Sequence, residues 1–196
     1  MEKIILASGS PRRKQLLELA EIPFEVMVSS TDEKYPLDLS PADTVLYIAE
    51  NKAITVKKKL NLKDDSDGYT IIAADTVVVL KDEIIGKPKD REMAISILSN
   101  LSGNIHTVIT GVCIVCGKEK VLFSEETEVE FYPLSVSQIE FYVDKYKPYD
   151  KAGAYAIQEW IGAVGVKSIR GDFYNVMGLP VSRVVQELNR IISVTK

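Results

Sequence analysis

Three observations predict an α/β protein with a mixed sheet flanked by helices. Apolar strand-like runs alternate with helix-like segments along the chain. One run, YTIIAADTVVVL over Tyr69 to Leu80, is apolar enough to be covered on both faces. Two more, residues 105–116 and 120–132, flank the turn CGKEK and read as a β-hairpin, which adds antiparallel pairing to the alternation.

Each element has its own signal. Lys3 to Ala7 is a short apolar strand, and Arg12 to Leu19 carries leucines at helical spacing. Between them, Ser10 is a candidate N-cap and Pro11 is pre-shaped for the first helical turn. A second helix opens with Ser40 as N-cap, Pro41 at its first position and Asp43 near the positive end of its dipole. Ala42, Val45, Leu46, Ala49, Ala53, Val56 and Leu60 then follow three-four spacing. Asn61 to Gly68, NLKDDSDG, is a polar turn. Beyond Leu80, KDE turns the chain into a short partner strand around Ile84 and Ile85, and GKPKD leads to a helix over about residues 91–101, closed by Gly103. Ser137 with Glu140 reads as the capping box of a helix reaching about Lys145. A polar, glycine-bearing stretch follows, then a strand near residues 164–169, a loop RGDFYNVMGLP, and a closing helix from Val181 to about Ile192.

Composition narrows the function classes. With 196 residues, 46% of them apolar, the chain can bury a sizeable core as one domain over residues 1–196, or as two closely joined lobes. A net charge of −4 offers no general attraction to a nucleic-acid backbone, though it leaves room for a local basic site. No apolar run approaches the ~20 residues of a membrane span. The first strand runs straight into charged helix and is not read as a signal peptide. The expectation is a cytoplasmic protein with no nucleic-acid or membrane partner. Cys113 and Cys116 form a C-x-x-C pair, but they sit in an alternating apolar run, without a second cysteine pair and with a single histidine, His106. They are read as packing residues.

The chemistry is sought at residues that are costly where they stand. Arg12 and Arg13 occupy the first turn of their helix, where the dipole disfavours cations. An anion at that helix start, held by backbone N–H groups and guanidinium forks beside Ser8 and Gly9, would account for them, as would plain solvation. Asp75 interrupts a run otherwise fit for a sheet interior, and Thr76 beside it is polar too. A buried carboxylate costs several kcal/mol unless paired or metal-bound, so Asp75 is either a structural partner or a base or metal ligand. Lys52 borders the apolar face of its helix, where a lysine usually reaches out to water. Lys87 sits in a loop restrained by Gly86 and Pro88. Glu33 in DEK is a metal ligand or part of a solvated turn. In DKAGAYAIQ, the carboxamide of Gln158 can accept from a uracil or thymine N3–H while donating to O4. GDFYNVMGLP adds glycines and an asparagine suited to a tight loop beside a ligand.

Taken in order, the blocks ILASGSPRRKQLL, DEK, AENKA, AADTVVV, GKP, LSG with HTVITGV, KAGAYAIQ and FYNVMGLPV resemble the Maf family of nucleoside triphosphate pyrophosphatases over nearly the whole chain. DKAGAYAIQ, with DT after the buried alanines, is similar to the branch acting on dTTP and UTP. The chain departs from the expected pattern at Glu159 and Trp160. The resemblance implies a strongly bent mixed sheet with a central cleft, and a homodimer. It implies Asp75 as proton acceptor, and Arg12, Thr76 and Gln158 as positions of substrate choice. Ser8, Arg13, Glu33, Lys52 and Lys87 would line the phosphate and metal region, with Mg²⁺ or Mn²⁺ as cofactor and Glu33 and Asp75 as ligands. The substrate would be a nucleoside triphosphate cut between its α- and β-phosphates. Two rivals stand beside this: the sister branch linked to 7-methyl-GTP, and a non-catalytic regulator of septum formation in cell division.

Overall fold

The apolar strand β1 (Lys3–Leu6) pairs in parallel with β2 (Glu25–Val26) on one side and with β3 (Tyr69–Leu80) on the other. Ile5 lies opposite Ile71 and Leu6 opposite Ile72, so the first strand continues the apolar run of β3 sideways. The two-residue β2 has no signal in the sequence, since both its residues are exposed. The structure is a computed structural model that describes residues 3–28, 35–61 and 68–194.

Between and after these strands come α1 (Pro11–Leu19), α2 (Pro41–Lys59), β4 (Glu83–Ile85), α3 (Arg91–Leu101), β5 (Ile105–Cys116), β6 (Glu119–Phe131) and α4 (Val136–Tyr146). A 3-10 turn at Ala152–Ala154 leads to α5 (Trp160–Gly165), β7 (Val166–Arg170), α6 (Phe173–Met177) and α7 (Val181–Val194). The strands form one sheet in the order β2-β1-β3-β5-β6-β7, with β4 paired to β3. β3–β4 and β6–β7 are antiparallel, so the sheet is mixed, as expected.

The caps show where local chemistry set the boundaries. Ser40 Oγ accepts from the Asp43 N–H at 3.1 Å, the expected start of α2. Ser10 precedes α1 but makes no side-chain cap, and its N–H donates instead to Ser8 Oγ at 3.2 Å. The capping box of α4 is Ser135 with Gln138, two residues before the expected Ser137 and Glu140. Both pairs fit the pattern. Ser102 Oγ accepts from the Leu134 N–H at 2.6 Å and fixes the chain just ahead of Ser135, so the earlier box forms.

Contacts divide the chain into two units. The first comprises the described parts of Met1–Asp75, Thr110–Glu125 and Gly178–Lys196. Its core packs Ala49, Ala53 and Val56 of α2 against Ile5, Ile71, Ala73 and Cys113. The helix comes so close to β5 that a Cβ on Gly111 would lie 2.5 Å from the Val45 carbonyl carbon, so only glycine fits there. The second unit comprises Thr76–Ile109 and Glu126–Met177. Its core gathers Leu98 and Leu101 of α3, Phe131 of β6, and Tyr142 and Val143 of α4.

Candidate active site

Alternation along β3 puts Ile71, Ala73 and Asp75 on one face. The buried stripe of α2 includes Lys52 between Ala49, Ala53 and Val56. Ile71 and Ala73 pack against that stripe, so Asp75 continues the same face toward Lys52. Lys52 Nζ donates to Asp75 Oδ1 at 2.7 Å, with the two side chains 11% and 14% exposed. The lysine thus does not reach out to water, as its helix position alone suggested. The carboxylate opposite holds it, because a half-buried Asp and a buried Lys each relieve the other's desolvation.

The loop after β1 is organised by Arg13. This side chain is 9% exposed, donates through Nε to the Gly178 carbonyl at 2.7 Å, and through Nη1 to the Ala74 carbonyl at 2.8 Å and Ser8 Oγ at 3.2 Å. One planar guanidinium therefore ties the start of α1 to the residue before Asp75 and to the turn leading into α7. Ser8 is buried and Arg12, one position earlier on α1, is half-buried. Ser8, Arg12, Arg13, Lys52 and Asp75 all belong to the first unit.

Thr76, Lys87 and Gln158 belong to the second unit. Thr76 is half-buried, and Lys87 and Gln158 are exposed. Gln158 stands in a tight turn closed by the Glu159 N–H donating to the Ala156 carbonyl at 3.0 Å. Gly162 lets that turn fold back, since a Cβ there would lie 1.7 Å from the Ile157 carbonyl oxygen. Glu33 lies outside the described residues.

The family model for Maf-like proteins matches residues 3–191. The chain belongs to the Maf family. It is 50% identical over 190 residues, 97% of its length, to a dTTP/UTP pyrophosphatase of Cytophaga hutchinsonii, covering 84% of that protein. It is 50% identical over 187 residues to a dTTP/UTP pyrophosphatase of Parabacteroides distasonis, covering 95% of this chain and 94% of the relative. A Bacillus cereus protein of the same name is 44% identical over 190 residues, covering 97% and 96%. Among solved structures, a HAM1 protein from Coxiella burnetii aligns with a TM-score of 0.45 and 16% identity over 67% of this chain and 73% of that one.

Two expectations within this Maf chain need correction. RGDFYNVMGLP is not all loop, because Phe173–Met177 forms α6. Its asparagine is fully buried: Asn175 Nδ2 donates to the Val108 carbonyl at 3.1 Å and to Thr127 Oγ1 at 3.0 Å. It fastens α6 to β5 and β6 rather than lining a ligand. Cys113 and Cys116 are buried free thiols, and burial first, then the nearby Glu50, pushes the Cys113 thiol up to about 12, against a smaller opposing effect of Lys120. Both side chains are buried among the apolar residues of β5, in keeping with the packing reading. No group of three or more His, Cys, Asp or Glu side chains is placed to hold a metal among the described residues. No helix among the described residues is long and apolar enough to cross a membrane.

Residue-by-residue reading missed the acceptors that make Arg13 a staple, because backbone carbonyls leave no mark in a sequence. It also missed the side chains around the Gln158 turn.

Proposed function

We propose that this chain is a nucleoside triphosphate pyrophosphatase acting on dTTP and UTP, releasing the nucleoside monophosphate and pyrophosphate. The observation that carries the reading is 50% identity along 97% of the chain to proteins of that name. The geometry supports it, because Lys52 donates to Asp75 Oδ1 at 2.7 Å and holds that side chain in place on its strand. Water attacks the α-phosphorus and Asp75 accepts its proton, while pyrophosphate leaves. Arg12, Arg13, Lys52 and Lys87 balance the triphosphate charge, and Ser8 offers a hydroxyl beside it.

A divalent cation fits these residues in one way. Mg²⁺ is commonly bound by one or two carboxylates together with substrate phosphates, and needs no dedicated protein cage. As the alternative to accepting the proton, Asp75 would hold it, with Glu33 as second ligand. Mg²⁺ or Mn²⁺, when bound, supplies neutralisation of phosphate charge and a more acidic water. Gln158 and Thr76 read the base, and Arg12 adds to substrate choice. The working assembly is a cytoplasmic homodimer, a reading supported by the family resemblance. The net charge of −4 supports a small anionic substrate at a local basic site over a nucleic acid.

The test is pyrophosphate release from a panel of standard and base-modified triphosphates, with Mg²⁺ or Mn²⁺ and with EDTA, beside a folded Asp75→Asn variant. Metal-dependent release from dTTP and UTP, reduced by roughly 10²–10⁴-fold in the variant, is expected. Release from 7-methyl-GTP instead would move the chain to the sister branch. No release from any nucleotide would leave a binding protein.

A further inference from the structure

One phenolic oxygen holds both sides of the turn that carries Gln158. Tyr142 of α4 is fully buried. Its Oη accepts from the Ala156 N–H at 3.1 Å, two residues before Gln158. Its hydroxyl donates to Glu159 Oε2, one residue after Gln158. The other oxygen of Glu159 lies 3.7 Å from Lys151 Nζ, and Lys151 donates to Asp150 Oδ1 at 2.7 Å. The exposed Gln158 is thus flanked by anchored neighbours, and the anchor is a buried hydroxyl on a helix.

The chemistry of a carboxamide makes such an anchor useful. A carboxamide reads a base edge through two hydrogen bonds made at once, so its preference for thymine or uracil is felt only when the turn holds it at the right distance from that edge. Discrimination requires the amide to be delivered from one position. We propose that Tyr142 and Glu159 are positioning residues that fix the Gln158 turn and thereby set the preference for thymine and uracil over cytosine; this rests on the base-reading role of Gln158 given above. The carboxylate of Glu159 supplies the acceptor for Tyr142.

The experiment measures kcat/KM for dTTP and dCTP in the wild-type chain, in Tyr142→Phe, Glu159→Ala, Gln158→Ala and the double variant Tyr142→Phe/Gln158→Ala. Tyr142→Phe keeps the ring and is expected to lower the dTTP/dCTP ratio about tenfold, chiefly through KM for dTTP. Glu159→Ala, at a partly exposed position, is expected to lower it about threefold, and carries the test should Tyr142→Phe not fold. In the Gln158→Ala background, Tyr142→Phe is expected to leave the ratio unchanged, because a positioning residue acts only through what it positions. A wild-type ratio in Tyr142→Phe and Glu159→Ala, alongside a lost ratio in Gln158→Ala, would overturn the positioning role and leave base reading intact. A wild-type ratio in Gln158→Ala would overturn base reading, and this inference with it. An equal fall for both nucleotides that persists without Gln158 would mark Tyr142 as merely structural and also overturn the inference.

Discussion

Lys52 and Asp75 form an ion pair at 2.7 Å between the middle of a helix and the centre of a strand, 23 residues apart in sequence. Each makes the other tolerable in a mostly apolar setting. Neither is explained by its own element. The lysine breaks the apolar stripe of α2, and the aspartate breaks the apolar run of β3. Together they form a hydrogen-bonded pair in which each group compensates the other's burial.

Removing one partner should therefore cost both stability and turnover. Lys52→Met keeps the aliphatic stem but strands a half-buried carboxylate, which should cost on the order of 2–4 kcal/mol, somewhat below a fully buried case. Pyrophosphate release should fall about ten- to hundredfold, because the carboxylate loses its hydrogen-bond donor and its fixed rotamer. Adding Asp75→Asn should restore part of the stability and none of the activity. Denaturant unfolding of the single and double variants checks the first claim. A double variant no more stable than Lys52→Met would show that the pair is not coupled.

Arg13 should behave as a staple that lysine cannot replace. Its fork reaches the Gly178 and Ala74 carbonyls and Ser8 Oγ from one planar group. A lysine ammonium is a point donor at a different reach, so Arg13→Lys should lose about 1–3 kcal/mol of stability. Since Ala74 adjoins Asp75, turnover should drop in the same variant. Thermal unfolding with a parallel activity assay measures both, and an Arg13→Lys protein of native stability would remove the staple from the account.

The pH dependence of stability should carry the signature of His106. Its Nε2 lies 2.7 Å from the Tyr155 hydroxyl, its ring meets Phe131 and Tyr155 edge-on, and burial pushes its imidazole from 6.5 down to about 4. Between those values the unfolded chain binds the proton and the folded one does not. Stability should thus be unaffected above pH 6.5 and fall as pH drops from 6.5 toward 4, by up to about 1.4 kcal/mol per pH unit. Melting curves of the wild type and His106→Gln over that window isolate the slope, because the carboxylates contribute to both. Equal slopes would show that His106 titrates normally in the folded state.

Local signals in this chain were read well because their causes are local. Ser40, Pro41 and Asp43 begin α2 through a cap and a dipole that need only neighbouring backbone, and the bounds of β3 and α3 follow from apolar period and flanking turns. Where two local solutions competed, as at Ser135 and Ser137, the choice fell to a hydrogen bond from a residue more than thirty positions away.

The identity of the costly residues was legible as well, since an aspartate inside a strand and a lysine inside a helix stripe violate patterns that sequence displays. Which groups compensate them was not. The Lys52–Asp75 pair, the carbonyls that bind Arg13, the bonds that consume Asn175 and the Tyr142 hydroxyl under the Gln158 turn all join segments distant in sequence. Periodicity reports which face of an element is buried. It carries no information about the partner that face meets, because burial is satisfied by any apolar surface while a hydrogen bond is satisfied only by one atom at one distance.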